Sequence, residues 1–122
     1  MNRMAGIGMK DQKEDLNNCP IDFTIDVISG RWSMWILWTL QDAPLRFGEI
    51  RKRIPGITEK MLIQQLKKFE EYNLVSRKVY SQIPPKVEYT LTEHGQSLKP
   101  IMQLIKQWGD EHLHLKKSNL NS

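Results

Sequence analysis

Hydrophobic positions over residues 1–18 follow no sustained period, and Gly6, Gly8 and the polar run over 10–18 read as a flexible N-terminal tail. From there the pattern turns helical. Pro20 suits a first helical turn, Asn18 or Cys19 stands at the cap and Gly30 supplies the stop, so a short helix is expected over 20–29. Its apolar residues Ile21, Phe23, Ile25, Val27 and Ile28 are too dense for a solvated face. A second helix over 31–41 carries Trp32, Ile36 and Leu40 on one stripe, with Leu37 beside it and Trp35 and Trp38 on the other side. A helix apolar nearly all round should be buried nearly all round. After Pro44, a third helix over 47–54 turns Phe47, Ile50 and Ile54 inward and Glu49, Arg51, Lys52 and Arg53 outward, up to a turn at Pro55-Gly56. A fourth, over 58–72, opens on a capping threonine and buries Leu62, Leu66 and Phe69. Lys60, Gln64, Lys67, Lys68 and Glu71 fall on its opposite face. Asn73 then takes the left-handed position that ends it.

Beyond Asn73 the period changes to two. Val75, Arg77 and Val79 alternate with Ser76, Lys78 and Tyr80, and Val87, Tyr89 and Leu91 alternate with Glu88 and Thr90. The stiff stretch over 81–86 between them makes this a β-hairpin with an extended tip. A last helical segment runs from Thr92 to about Leu115. Leu98, Ile101, Ile105, Trp108, His112 and Leu115 recur in it at alternating spacings of three and four, a heptad seam. Such a seam packs along another helix, either of the same chain or of a second copy. Pro100 either kinks the segment or marks its true start. Residues 118–122 are left as a tail.

The expected class is therefore mostly α with a small β-hairpin (α+β), in one domain over 19–117. Two helices joined by a tight turn occur in any bundle. Followed at once by a hairpin with a proline-stiffened tip, they match a winged helix-turn-helix, with a further helix on its N- and C-terminal sides.

Composition narrows the function. The chain has 122 residues, 39% hydrophobic and 26% charged, one domain's worth of ordinary globular sequence. Its longest apolar stretch, over 34–40, is interrupted by Thr39 and falls far short of the ~20 residues a bilayer requires, so no membrane is expected. No signal-peptide pattern opens the chain, which makes the cytoplasm the expected location. A single cysteine, Cys19, rules out an internal disulfide and a zinc site of several thiolates. His94, His112 and His114 are scattered, with 112 and 114 pointing ~200° apart on a helix, so they form no metal face. With no Ser/His/Asp or phosphate-loop pattern either, neither an enzyme nor a cofactor is expected.

The net charge of +4 matters less than its placement. Residues 45–86 hold ten Lys/Arg against four acids, while the rest of the chain holds eight against ten. The surplus covers the proposed reading helix and wing, so double-stranded DNA is the expected partner. Base reading is assigned to Thr58, Lys60, Met61, Gln64 and Gln65: amides suit adenine, an ammonium guanine and a thioether the thymine methyl. Arg51, Lys67, Lys68, Arg77 and Lys86 are assigned to phosphate. A winged helix used for protein contacts would instead carry an apolar or acidic recognition face, and that alternative is separated by salt-dependent duplex binding.

Several runs carry a family resemblance. Cys19-Pro20, then Asp26-Val27-Ile28-Ser29-Gly30-Arg31-Trp32 and Ile36-Leu37, resemble the opening of the HxlR-type regulators, relatives of the MarR winged-helix proteins. Leu45-Arg46-Phe47-Gly48-Glu49-Ile50 looks like their R-F-x-E-L step, and Ile57-Thr58-Glu59-Lys60-Met61-Leu62 like the start of their recognition helix. Pro84-Pro85-Lys86-Val87-Glu88-Tyr89-Thr90-Leu91-Thr92 with Gly95 is similar to their wing return, and Trp108-Gly109 to the end of their last helix. The resemblance spans about residues 19–115 and departs at Asn73, where the family usually has glycine, and at the bulky Trp35 and Trp38. It implies a homodimeric bacterial transcription factor, often a repressor, on a pseudo-palindromic operator, held together by its first and last helices. Phe23, Ile25, Ile101, Ile105, Trp108 and His112 are the expected interface.

Some members of that family sense oxidants or electrophiles through the N-terminal cysteine. Here Cys19 opens a helix, where unpaired N–H groups favour an anionic sulfur, and Asn17 and Asn18 make the surroundings polar and the thiol accessible. With no second cysteine, its products are limited to a sulfenate, a mixed disulfide, an adduct or an inter-subunit Cys19–Cys19 bond. The alternative is a structural Cys19 in a regulator that answers a small ligand, with Trp35 and Trp38 lining a pocket.

Overall fold

The computed structural model describes residues 19–121, with side chains over 19–115; the expected tail over 1–18 lies outside the described residues. The chain divides between Met34 and Trp35 into two compact units.

In the first unit, helix α1 (Pro20–Ile28) begins at Cys19, an extended N-cap with φ −86° and ψ 119°. Proline at the first position loses nothing, since the N–H it lacks would have no partner there. The Phe23 N–H closes the first turn on the Cys19 carbonyl at 2.9 Å, and the Ser29 N–H ends the helix on Ile25 at 2.8 Å. Cys19 is only 3% exposed, which corrects the expectation of an accessible thiol. Polar neighbours in sequence do not decide which way a cap side chain turns. Val27 is buried, but Ile21 and Ile25, one turn apart, are both more than half exposed, so the apolar side chains of α1 are not all covered among the described residues. Trp32 is buried under the Arg31 guanidinium, 4.8 Å from its ring centroid. Its buried Nε1–H meets no acceptor among the described residues, a cost of ~1–3 kcal/mol.

Helix α2 (Ser33–Thr39) starts two residues later than its apolar pattern suggests, because the Ser33 N–H turns back to Gly30 at 3.1 Å. Burial all round is also corrected. Ile36, Leu37 and Leu40 are buried, but Trp35 on the other side is 54% exposed.

The second unit adds an element that the period did not announce. Strand β1 (Leu45–Arg46) pairs with the last strand, Leu45 against Tyr89 and Arg46 against Glu88. The hairpin is thus part of a three-stranded antiparallel sheet, in the order β1-β3-β2. Helix α3 (Phe47–Arg53) follows directly, its first turn closed by the Glu49 carboxylate accepting from the Arg46 N–H at 2.8 Å. Ile54, Pro55, Gly56 and Ile57 then form a tight turn, with Ile57 N–H on Ile54 O at 3.3 Å and Gly56 at φ 89°, a value that suits a residue without Cβ. Helix α4 (Glu59–Glu71) is capped as expected: Thr58 Oγ1 accepts from the Met61 N–H at 3.1 Å. At its far end Asn73 has φ 60°, Leu74 N–H reaches Phe69 O at 2.8 Å and Asn73 N–H reaches Glu70 O at 3.0 Å. This is a Schellman closure with asparagine in the glycine position. Ile50, Ile54, Ile57, Leu62, Leu66 and Phe69 are buried from these two helices.

Strands β2 (Val75–Tyr80) and β3 (Lys86–Leu91) pair in register from Val75 against Leu91 to Tyr80 against Lys86. The expected last helix is broken in two: α5 (Glu93–Gln96) and α6 (Lys99–Asn121). The break follows from a close junction. Thr92 Oγ1 accepts from the Gly95 N–H at 2.9 Å and donates to Asn73 O at 2.7 Å. A Cβ on Gly95 would lie 2.1 Å from the Leu74 carbonyl oxygen, so glycine is what lets α5 approach that backbone. Pro100 lies in the first turn of α6 and marks its start instead of kinking it. The helix runs on to Asn121, through most of the stretch expected as a tail. Leu98 and Met102 are buried, while Ile101, Ile105, Trp108 and Leu115 of the heptad seam are exposed. At ~100° per residue Ile101, Trp108 and Leu115 lie ~100–140° round the helix from Met102, and among the described residues they are left partly uncovered. Among the described residues, no helix is long and apolar enough to cross a membrane.

Candidate nucleic-acid interface

Helices α3 and α4 and the turn between them place a row of polar side chains on one exposed side of α4. Lys60, Gln64, Lys67 and Glu71 recur at helical spacing and all face solvent. Thr58 is exposed at the helix start, where its hydroxyl oxygen accepts the cap hydrogen bond. Met61 is 39% exposed, and Gln65 is half-buried. The expected base-reading residues are thus grouped on the first turns of one helix. Ile63, half exposed on the flank of the same face, was missed. A hydrophobic residue next to Leu62 reads as core until the pitch is fixed.

The cations assigned to phosphate are less uniform. Arg51 reaches Glu59 at 3.6 Å across the turn, Arg77 reaches Glu70 at 3.7 Å, and Lys86 reaches Glu88 at 3.3 Å. Lys68 lies 5.7 Å over the Tyr72 ring, and Lys67 is exposed. Exposed pairs of this kind contribute ~0–1 kcal/mol each. Their effect is to hold side chains in place, and a phosphate approaching Arg51, Arg77 or Lys86 meets a carboxylate nearby.

Lys86 is not at the hairpin tip, as its neighbours Pro84 and Pro85 suggested. It opens β3, opposite Tyr80. The register places Lys78, Tyr80, Lys86 and Glu88 on one sheet face, with Arg46 beside Glu88 through β1. Tyr80 Oη donates to Glu88 at 2.8 Å, and Lys78 and Lys86 each sit 4.8 Å from the Tyr80 ring centroid. The Tyr80 hydrogen bond, helped by Lys86 and by the charge of Arg46, holds the Glu88 carboxyl below its usual pKa. On the other face, burial with help from Glu70 pushes the Tyr89 phenol up, against the pull of Arg77. Alternation alone put Lys78 with Tyr80, but the part played by Arg46 required the strand β1.

The residues expected to join two chains lie on two helices. Phe23 and Ile25 are on α1 at 42% and 51% exposure, Ile101 and Ile105 on α6 at 39% and 44%. Trp108 is 65% exposed and stacks on His112, with ring centroids 4.3 Å apart and the Trp108 carbonyl 2.9 Å from His112 Nδ1.

Comparison with known proteins agrees with this geometry. The profile of the HxlR-like helix-turn-helix family matches residues 27–117. The HTH-type transcriptional regulator YdeP of Bacillus subtilis is 42% identical over 110 residues, 90% of this chain and 86% of that protein. YkvN of the same organism, another HTH-type transcriptional regulator, is 51% identical over 92 residues, 75% of this chain and 78% of its own. The redox regulator HypR in its reduced form superposes with a TM-score of 0.78 at 43% identity, over 81% of this chain and 98% of that one. The reduced transcriptional regulator YodB from B. subtilis does so with a TM-score of 0.69 at 39% identity, over 76% and 92%.

Proposed function

The chain is a transcriptional regulator of the HxlR-like helix-turn-helix family, and on that premise we propose that it represses transcription as a homodimer bound to a pseudo-palindromic operator. The observation that carries the DNA-binding part is the exposed row Thr58, Lys60, Gln64 and Lys67 at the N-terminal end of α4, beside a sheet face rich in cations. In a helix-turn-helix the second helix enters the major groove by those first turns. Lys60 donates to guanine, Gln64 and Gln65 pair with adenine, and Met61 meets a thymine methyl. Arg51, Lys67, Lys68, Arg77 and Lys86 grip phosphate and set the register. The second copy is supported by the apolar residues that α1 and α6 leave exposed. Repression follows where the operator overlaps a promoter. The sheet and its wing act in the cytoplasm, on the nucleoid.

Control by oxidants or electrophiles at Cys19 rests on the likeness to HypR and YodB, both solved in reduced and in oxidised or diamide-treated forms. The burial of Cys19 favours a second reading, a structural cysteine in a regulator that answers a small ligand.

Selection of bound duplexes from a random pool tests the main proposal. The expected product is an inverted repeat with half-site centres ~10–10.5 bp apart or a multiple of it. Gln64→Ala should relax preference at one position in each half-site and cost ~1–3 kcal/mol on the selected duplex. A pool that emerges without any preferred sequence would sink the proposal.

A further inference from the structure

The tip of the wing carries no charge. Ser81, Gln82, Ile83, Pro84 and Pro85 are all exposed, and Ile83 is 99% exposed. The cations of the hairpin sit on its arms. Lys78 and Lys86 bracket the Tyr80 ring, Lys86 is tied to Glu88 at 3.3 Å, and Arg77 is drawn to Glu70 at 3.7 Å. A lone apolar side chain on a surface needs no explanation by itself. This one stands at the apex of a hairpin with basic arms, followed by two prolines that restrict the backbone on its far side.

Basic arms mark a polyanion as the neighbour, and Ser81 and Gln82 can still donate to a phosphate oxygen, yet the outermost side chain, Ile83, cannot pair with one. One arrangement satisfies both: arms along the phosphates, apex past them and inside a groove. With α4 in the major groove, as proposed above, the groove left for the wing is the minor one. Its walls are deoxyribose and its floor is base edges, a surface that accepts an isoleucine, and isoleucine is among the side chains that enter it as wedges. The guanine N2 amine projects into that groove. It would occupy the space an apolar side chain needs and find no acceptor on it. We propose that Ile83 enters the minor groove at the wing position and selects A·T over G·C there, a second reading site separate from α4. The inference rests on the DNA-binding reading.

The test uses the full chain and the selected operator, with the base pair at the wing position made A·T, G·C or inosine·C. Inosine·C keeps the major-groove face of G·C but lacks the amine, so its minor groove resembles that of A·T. The wild type should bind the G·C duplex about tenfold more weakly than the A·T duplex and recover on inosine·C. Ile83→Ala, at a position that buries nothing, should bind all three within about twofold, with an unchanged salt slope. Wild-type discrimination retained by Ile83→Ala, or inosine·C bound as weakly as G·C, overturns the Ile83 assignment while leaving operator binding intact. Loss of all preference for the operator over random DNA overturns the DNA-binding reading and this inference with it.

Discussion

Glu88 shows how a residue of the wrong charge serves a basic surface. It accepts from Tyr80 Oη at 2.8 Å and faces Lys86 at 3.3 Å, and these partners hold its carboxyl below the usual 4.5. A carboxyl lowered in the folded state adds stability above the unfolded value and loses it as pH falls through the folded one. The carboxylate is therefore in place at neutral pH, where it fixes Tyr80 between Lys78 and Lys86. In an NMR titration the Glu88 carboxyl should titrate below 4.5, and Tyr80→Phe should move it upward, since the hydroxyl is its leading cause. A Glu88 titration unmoved by Tyr80→Phe would show that the pair does not form in solution. Single residues were legible unevenly. Thr58 and Asn73 could be named in advance because caps act on neighbours in sequence. Cys19 and Trp35 could not, since their burial and exposure depend on the direction in which a short helix turns its sides.

Among elements, the junction of β3, α5 and α6 sets where the last helix points. Gly95 packs against the Leu74 backbone, where a Cβ would stand 2.1 Å from the carbonyl oxygen, 3.1 Å from the carbonyl carbon and 3.2 Å from Leu91 Cδ2. The neighbours are mainly backbone and cannot swing aside. Gly95→Ala should therefore lower stability by ~1–3 kcal/mol and shift the urea midpoint down with an unchanged slope. An unaltered midpoint would mean that the junction yields freely. The α4 stripe of Leu62, Leu66 and Phe69 was evident from its period, as was the alternation of β2 and β3. The strand β1 was not. Two residues have no period, and their partners Tyr89 and Glu88 lie far along the chain. The α5–α6 break was hidden for a similar reason, because the heptad spacing runs through Leu98 as if the helix were continuous.

At the scale of the whole molecule, the exposed seam of α6 and the buried thiol at the start of α1 bear on the same proposed signal. Among the described residues Ile101, Ile105 and Trp108 are left partly uncovered, and in the proposed homodimer the matching stripe of a second copy would cover them. A thiol that is 3% exposed reacts only in the fraction of molecules in which the N-terminal unit opens locally. Oxidant sensing and burial are then compatible, but they make a kinetic demand: modification of Cys19 should be slow in the native protein and fast in denaturant. Diamide would take two electrons and two protons as two Cys19 thiols, one from each chain, close a disulfide. The expected outcome is release of the selected operator by the wild type, a covalent dimer on a non-reducing gel, and reversal by dithiothreitol. Cys19→Ser should stay bound throughout. If the serine variant is released equally, or the wild type keeps its operator after Cys19 has been shown to react, the thiol is a packing residue. Control would then pass to the small-ligand reading, in which the exposed Trp35 is the first side chain to test.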